Sequence, residues 1–497
     1  MPRRRGRSYA QFKKAVTRYD RDALLLLVAH GSSLWDGQVV GSDGKARILQ
    51  PWASAAIAYV AIRWGRSGIA LPQAETLFEL SNMHANLDQP ELARGLRSRA
   101  TDSLHMVERY LYEQTPHQKL TLAAMSRARG LFIDTEFPRH RTPKVFVEGW
   151  DQKLFGGSLD HYLASVFLLM SYGKSSGGRW PVAEWDSTLE ALSEVISHEQ
   201  FSNMLNANLT DSIDGLKARM KAAAARRRTQ GKPPAPDALE FNPLFARPAV
   251  LNIVSGELVI PSLQSLEMKA SVQSIVYSGL EFFGTAFSTE VGYLFEAYVG
   301  RNLALLGGDG LRAERKYKNE LRNSVDSVDW FVVFDSVVVL VEVKAVFPPE
   351  DTRMGLGEPM QDYGVKLRKA ADQLQKSNHA IQDRLREFDD IPSDRPAIGL
   401  VVTMSDFFTL PSECASAAGT PATAYVTIDD LEMWCGLGAN EAERVAAAFA
   451  DGAHGSGVRD FRSCMTESTF LGNAVVDAAF DANPMVRLAD LLGSAEA

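Results

Sequence analysis

SVDWFVVFDSVVVLVEVKA, residues 327–345, decides how this chain folds. Two apolar runs flank Asp335 and Ser336, the pattern of two strands joined by a tight turn. Residue numbers paired across such a turn sum to a constant, which places Asp329 opposite Glu342. Lys344 lies two residues beyond Glu342, so the strand's alternation puts it on the same face. Residues 337–343 read VVVLVEV, apolar on both faces, as expected of a strand inside a sheet. Two acids and a lysine are therefore expected on one patch of a buried hairpin.

Facing carboxylates repel, and burying even a neutral polar group without a partner costs roughly 2–7 kcal/mol. A cation between them removes the conflict. Mg²⁺ takes oxygen ligands from one or two carboxylates, with waters and phosphate oxygens completing its shell. Lys344 beside it would orient or deprotonate a water, or steady charge growing on a phosphate. The plainer alternative is a salt bridge on an edge strand, which the doubly apolar run argues against.

These residues carry a resemblance. Asp329, a strand-turn-strand, then Glu342-Val343-Lys344 resembles the D…ExK core of the PD-(D/E)XK nuclease superfamily, the restriction-endonuclease-like fold, over about residues 281–435. The resemblance implies that Asp329, Glu342 and the Val343 carbonyl hold Mg²⁺, with Mn²⁺ able to substitute, and that Lys344 assists catalysis. It departs from the pattern at Val328, where the motif has a proline that members of the superfamily often lack.

Flanking elements extend the match. Residues 288–306 predict a helix capped by Ser288 or Thr289, with Val291, Phe295, Tyr298, Asn302 and Leu306 as its apolar stripe. Glu296 projects along the stripe's edge, with Gly292 allowing close approach to the sheet. The segment resembles a G-x-x-F-E element whose glutamate is an outer metal or water ligand. A glutamate at a solvent boundary reads equally well, and Glu290 is a weaker substitute. Residues 362–386 predict a second helix with Lys366, Lys369, Gln373 and Lys376 on one face. By resemblance Gln373 sits near metal and scissile phosphate; Lys366 and Lys369 either contact nucleic acid or form a solvated face, and Lys376 reads as solvated. The polar loop between, 346–363, could gate the site. Strands at 397–404 and 423–428 and a helix beginning DDLEMWC complete the expected set.

The predicted architecture is an α/β C-terminal domain, a central mixed β-sheet flanked by helices and restriction-endonuclease-like, plus a mainly α-helical N-terminal domain. Residues 1–230 form the helical domain, 231–280 a linker and docking segment, 281–440 the nuclease-like domain and 441–497 a helical tail. The helical candidates begin with RDALLLLVAHGSS, read as starting at Asp22 and stopping at Gly31. RRRTQGKPPAPDALEFNP, 226–243, reads as the linker, and AVLNIV and ELVI as strands docking it onto the nuclease-like domain.

A net charge of −8 does not mark a nucleic-acid binder, so local clusters matter more. Arg3, Arg4, Arg5 and Arg7 begin a basic arm, and residues 217–232 hold Arg226, Arg227 and Arg228 with no acid among them. These are phosphate contacts or a solubilising tether. The three cysteines, Cys414, Cys435 and Cys464, make neither a zinc ribbon nor a disulfide framework and suit a reducing cytoplasm. No apolar stretch is long enough to span a membrane. Gly173-Lys174-Ser175 lacks the first glycine of a phosphate loop, His198-Glu199 lacks its second histidine, and His30 has no nucleophile elbow.

The reading is a metal-dependent endonuclease acting on DNA ahead of RNA, working with protein partners as effector of a bacterial defence or restriction-like system. Two alternatives stay open. One is a catalytically silent nuclease fold used for binding or assembly. The other is a structure-specific resolvase or repair nuclease, in which homo-oligomerisation would matter.

Overall fold

Asp335 and Ser336 form the turn: Phe334 N donates to Val337 O at 3.0 Å. Strands Trp330–Val333 and Val338–Lys344 run antiparallel with Trp330 opposite Val341 and Val333 opposite Val338, the register the sequence predicts. The computed structural model describes residues 8–34, 38–40, 46–87, 120–181, 193, 195–318, 321–349, 351, 363–405, 407, 421–452, 461–466 and 468–495. Outside them fall Arg3, Arg4, Arg5, Arg7, Cys414, the stretch PELARGLRSRATDSLHMVERYLYEQ at 90–114, which reads as a helix in sequence, and most of the proposed gate loop.

Five strands form the main sheet. Their order is Ala422–Thr427, Ala397–Thr403, Val338–Lys344, Trp330–Val333, Leu311–Ala313, the first three mutually parallel and the last two joining antiparallel. The hairpin's second strand is thus the central one and is buried on both sides. Val338 and Leu340, with Phe331 and Val401, pack on Leu367, Ala370 and Leu374 of helix Val365–Gln382. Val339, Val341 and Val343 belong to a larger core with Phe295 and Tyr298 of helix Thr285–Leu303 and Leu431 and Trp434 of helix Ile428–Cys435. Helices on both faces of a mixed sheet make this an α/β arrangement.

Helix Thr285–Leu303 buries the expected stripe, but it begins earlier than expected. Gly284 caps it, and Ser288 and Thr289 instead donate back to the Thr285 carbonyl at 3.0 and 3.1 Å. Close approach to the sheet also occurs at a different glycine. A Cβ on Gly292 would meet open space, whereas one on Gly300 would lie 2.3 Å from the Trp330 ring. Trp330 Nε1 donates to the Glu296 carbonyl at 3.2 Å, so the ring is anchored and cannot swing clear. Gly300→Ala is therefore expected to cost about 1–3 kcal/mol by overpacking, read as a lower midpoint in urea unfolding.

The N-terminal helices form with adjusted ends. Helix Arg21–Ser33 is capped by Asp20, which accepts from Ala23 N at 2.8 Å, and runs through Gly31 because that glycine packs against Leu77 and Leu49. The arginine-rich segment is not a linker at its start: helix Ile213–Thr229 contains all of Arg226, Arg227 and Arg228. AVLNIV and ELVI do form strands, and Ala249, Leu258 and Ile260 pack into the core that also holds Val341 and Phe295, but they do not add to the main sheet. Strands Ala249–Leu251 and Glu257–Val259 pair with each other and with Thr210–Ser212 and Arg179–Pro181, forming a separate four-stranded sheet.

Packing runs across the domain limits expected from sequence. Helices Leu122–Phe132 and Leu159–Ser175 contribute Met125, Leu131, Tyr162 and Leu169 to the same core as Val341 and Leu400, and Val475, Met485 and Leu488 near the C-terminus join them. Arg127 reinforces the junction, donating at 2.6 Å to each oxygen of buried Glu432 and pairing with Asp429. A second, smaller core gathers Phe12, Leu24, Ile57 and Leu80 with Leu216, Leu244 and Val250. No helix among the described residues is long and apolar enough to cross a membrane.

Candidate functional site

Continuing the hairpin register one pair beyond Trp330 and Val341 sets Asp329 against Glu342, on the face shared by Val338, Leu340 and Lys344. Glu342 has no exposed surface. Its Oε1 is ion-paired with Lys344 Nζ, while its Oε2 is buried without a hydrogen-bond partner. Asp329 Oδ2 accepts from Val343 N at 2.6 Å, and its other oxygen takes no hydrogen bond among the described residues. Two carboxylate oxygens are thus left unpaired where the strand ends.

The strand leading into Asp329 is held from three sides. Gln373 Nε2 donates to the Ser327 carbonyl at 2.6 Å, Ser377 accepts from Val328 N at 3.0 Å, and Glu314 N donates to the Asp329 carbonyl at 2.7 Å. Gln373 therefore acts on the backbone two residues before Asp329. A helix returning between parallel strands runs against them, which brings the first turns of Val365–Gln382 to the end of the central strand that carries Glu342 and Lys344. Lys366 and Lys369 are exposed there and form no ion pair among the described residues; Lys376 is also exposed.

Glu296 lies within electrostatic reach of Asp329 and Lys344. Glu290 does not join them: its carboxylate accepts from Lys144 N, Val145 N and Phe146 N at 2.6, 2.9 and 3.1 Å, a structural task. Glu314 and Arg141 were not anticipated. Glu314 repels Glu296 and Glu342, and Arg141, its guanidinium 3.9 Å from the Tyr293 ring centre, offsets part of the negative charge on Glu296 and Glu314.

Four acids thus surround two cations. Burial, then repulsion from Asp329, pushes the Glu342 carboxyl up to about 8 despite Lys344. Burial likewise pushes Asp329 up to about 7, with Lys344 opposing and Glu296 adding to the shift. Burial and neighbouring acids also raise Glu296 and Glu314. For Lys344 burial works against the ammonium, but Glu342, Asp329 and Glu296 outweigh it and hold its pKa above the ordinary value.

Among the described residues no three His, Cys, Asp or Glu side chains converge to hold a metal by themselves. An ion here would rest on the Asp329 and Glu342 pair, which suits a hard cation that keeps most of its waters. The unpartnered Glu342 oxygen and the surplus of negative charge fit such an ion.

The arginines of helix Ile213–Thr229 are largely engaged within the chain. Arg226 pairs with Glu281 at 3.1 Å, Arg227 with Asp351, and Arg228 donates to the Ala224 carbonyl at 3.4 Å and forms no ion pair among the described residues. Comparison of the chain with protein-family models and with curated proteins finds no match in either.

Proposed function

We propose that the chain is a divalent-metal-dependent nuclease that hydrolyses phosphodiester bonds, in DNA ahead of RNA, built on a restriction-endonuclease-like sheet. One observation carries the reading: Glu342 Oε2 is buried and unpartnered beside Asp329, with Lys344 held on the other oxygen of the same carboxylate. Such an oxygen costs free energy in the bare protein and gains a role once a cation and substrate arrive.

In this reading Asp329, Glu342 and the Val343 carbonyl hold Mg²⁺ or Mn²⁺. The ion supplies charge stabilisation at a phosphoryl oxygen and a more acidic bound water. Lys344 offers its ammonium to the non-bridging oxygens or orients the attacking water. Glu296, its pKa raised by burial and by Glu314, is more readily protonated than an exposed glutamate and can take up a proton at the site. Gln373 fixes the backbone ahead of Asp329 and so positions the ligand set. Work with protein partners in a defence or restriction-like system, inside a reducing cytoplasm, accords with the architecture by association only.

The test is purified full-length chain with Mg²⁺ or Mn²⁺ against supercoiled, linear, single-stranded and branched DNA and against RNA. Cleavage of at least one substrate, together with Mn²⁺ binding by calorimetry that Glu342→Gln removes, is expected. No cleavage and no carboxylate-dependent Mn²⁺ binding would favour a silent binding module; cutting confined to branched DNA would favour a resolvase.

The exposed pair at the start of helix Val365–Gln382 gives a separate prediction. Lys366→Ala with Lys369→Ala should reduce the slope of log affinity against log salt by about 2, near 0.9 per lost phosphate contact, in anisotropy titrations with duplex DNA. Alanine at Arg226, Arg227 and Arg228 should change that slope less, since Arg226 and Arg227 are already paired.

A further inference from the structure

A second group of cations, incompletely partnered, lies in a different part of the chain. Strands Thr210–Ser212 and Ala249–Leu251 pair in parallel, bringing Arg247, just before the second strand, within electrostatic reach of Arg219 on helix Ile213–Thr229. Lys269 lies in the helical turn Met268–Ala270 and is 5% exposed. Its carbonyl accepts from the Tyr162 hydroxyl at 3.3 Å, and that phenol in turn feels the charge of Arg247. Arg247 Nη1 is buried with no hydrogen-bond partner, and neither the Arg247 nor the Lys269 side chain forms an ion pair among the described residues.

The nearby acids do not balance these cations. Asp211 is committed to Arg219 Nε at 2.8 Å and to Ser212 N at 2.9 Å. Glu281 is exposed and pairs with Arg226. Burial, and then the charge of Arg247, pushes the Lys269 ammonium down to about 8. A buried ammonium near a half-buried guanidinium, neither with an ion pair of its own among the described residues, is unfavourable unless an anion completes the arrangement.

We propose that Arg247, Lys269 and Arg219 form a binding site for a small phosphate-bearing anion. A guanidinium fork beside an ammonium point charge matches the oxygens of a phosphate group. The burial of Lys269 keeps a nucleic-acid strand away from it, so the ligand is a small molecule. Its occupancy would brace the chain that follows the central strand. Tyr277, on the helix Val272–Phe283 that follows Lys269, donates to the Pro348 carbonyl at 2.7 Å, and Arg227 on the Arg219 helix holds Asp351.

The experiment is thermal unfolding and calorimetry of the full-length chain in metal-free buffer, where the carboxylate pair plays no part. Inorganic phosphate, pyrophosphate and ATP are titrated at constant ionic strength. A saturable rise in Tm of a few degrees by about 10 mM is expected for at least one of them. Tighter binding of ATP would assign a nucleotide as the source; equal binding of all three would assign the phosphate group itself. Lys269→Met and Arg247→Gln should weaken binding at least tenfold, and Lys269→Met should raise the anion-free Tm at neutral pH, showing that the fold survives. Flat titrations with all three anions, equal shifts in wild type and both variants, or stabilisation by duplex DNA alone would overturn the site.

Discussion

Asp329→Ala, Glu342→Ala and Lys344→Ala should each lower metal-dependent cleavage by about 10²–10³-fold or more, the scale set by removing one group that faces transition-state charge. The expectation follows from how few groups are present. The ion would rest on two carboxylates, so losing either leaves a single carboxylate beside the Val343 carbonyl, and Lys344 is the one ammonium among the described residues that pairs with Glu342. The three variants should nevertheless differ. Glu342→Ala and Asp329→Ala lose Mn²⁺ binding in calorimetry, whereas Lys344→Ala retains it while losing turnover. Circular dichroism should match wild type in all three. Undiminished cleavage in every variant would mean that the chemistry, if any, lies elsewhere.

The second expected result is that Glu342→Gln makes the metal-free protein more stable while silencing it. A glutamate gives up its proton near 4.5 when exposed, but the folded chain holds the Glu342 proton to about 8. Between those values the folded state binds more protons than the unfolded one, so stability falls as pH rises through the window. It is unaffected below the window, and the full penalty is present above it. Each unit of displacement corresponds to about 1.4 kcal/mol, so the penalty at pH 8 amounts to several kcal/mol. Glutamine cannot ionise and escapes it. Denaturant unfolding in metal-free buffer should therefore favour the variant at pH 8 and show no difference near pH 4. Adding Mn²⁺ at pH 8 should reverse the order by stabilising wild type alone. A variant less stable than wild type at pH 8 without metal would show that the carboxylate is already satisfied within the fold.

The hairpin was legible because its information is local: a two-residue turn and strict alternation determine which side chains face one another. The helices on either side were legible for a related reason, since Val291, Phe295 and Tyr298, or Lys366, Lys369, Gln373 and Lys376, repeat at helical spacing. Glu314 escaped notice because it follows a three-residue edge strand in a run of charged residues, and only its backbone bond to Asp329 brings it to the site. Arg141 reaches Glu296 from a part of the chain with no recognisable pattern. The arginine run read as phosphate contacts or as a tether because composition says nothing about partners; Glu281 and Asp351 become visible only once the chain is folded. Glycine was misassigned for the same reason, as Gly292 and Gly300 are equivalent in sequence and only one meets Trp330.

Because Met125, Tyr162 and Leu169 lie in one apolar interior with Val341 and Leu400, the hairpin region is not a detachable module. A fragment starting at residue 281 would expose the greasy underside of its sheet and strand Glu432 without Arg127, so it should be recovered as aggregate. Anyone seeking a minimal working piece, or a graft of this chemistry onto another scaffold, would have to carry the stretch from about 120 to 181 along with it.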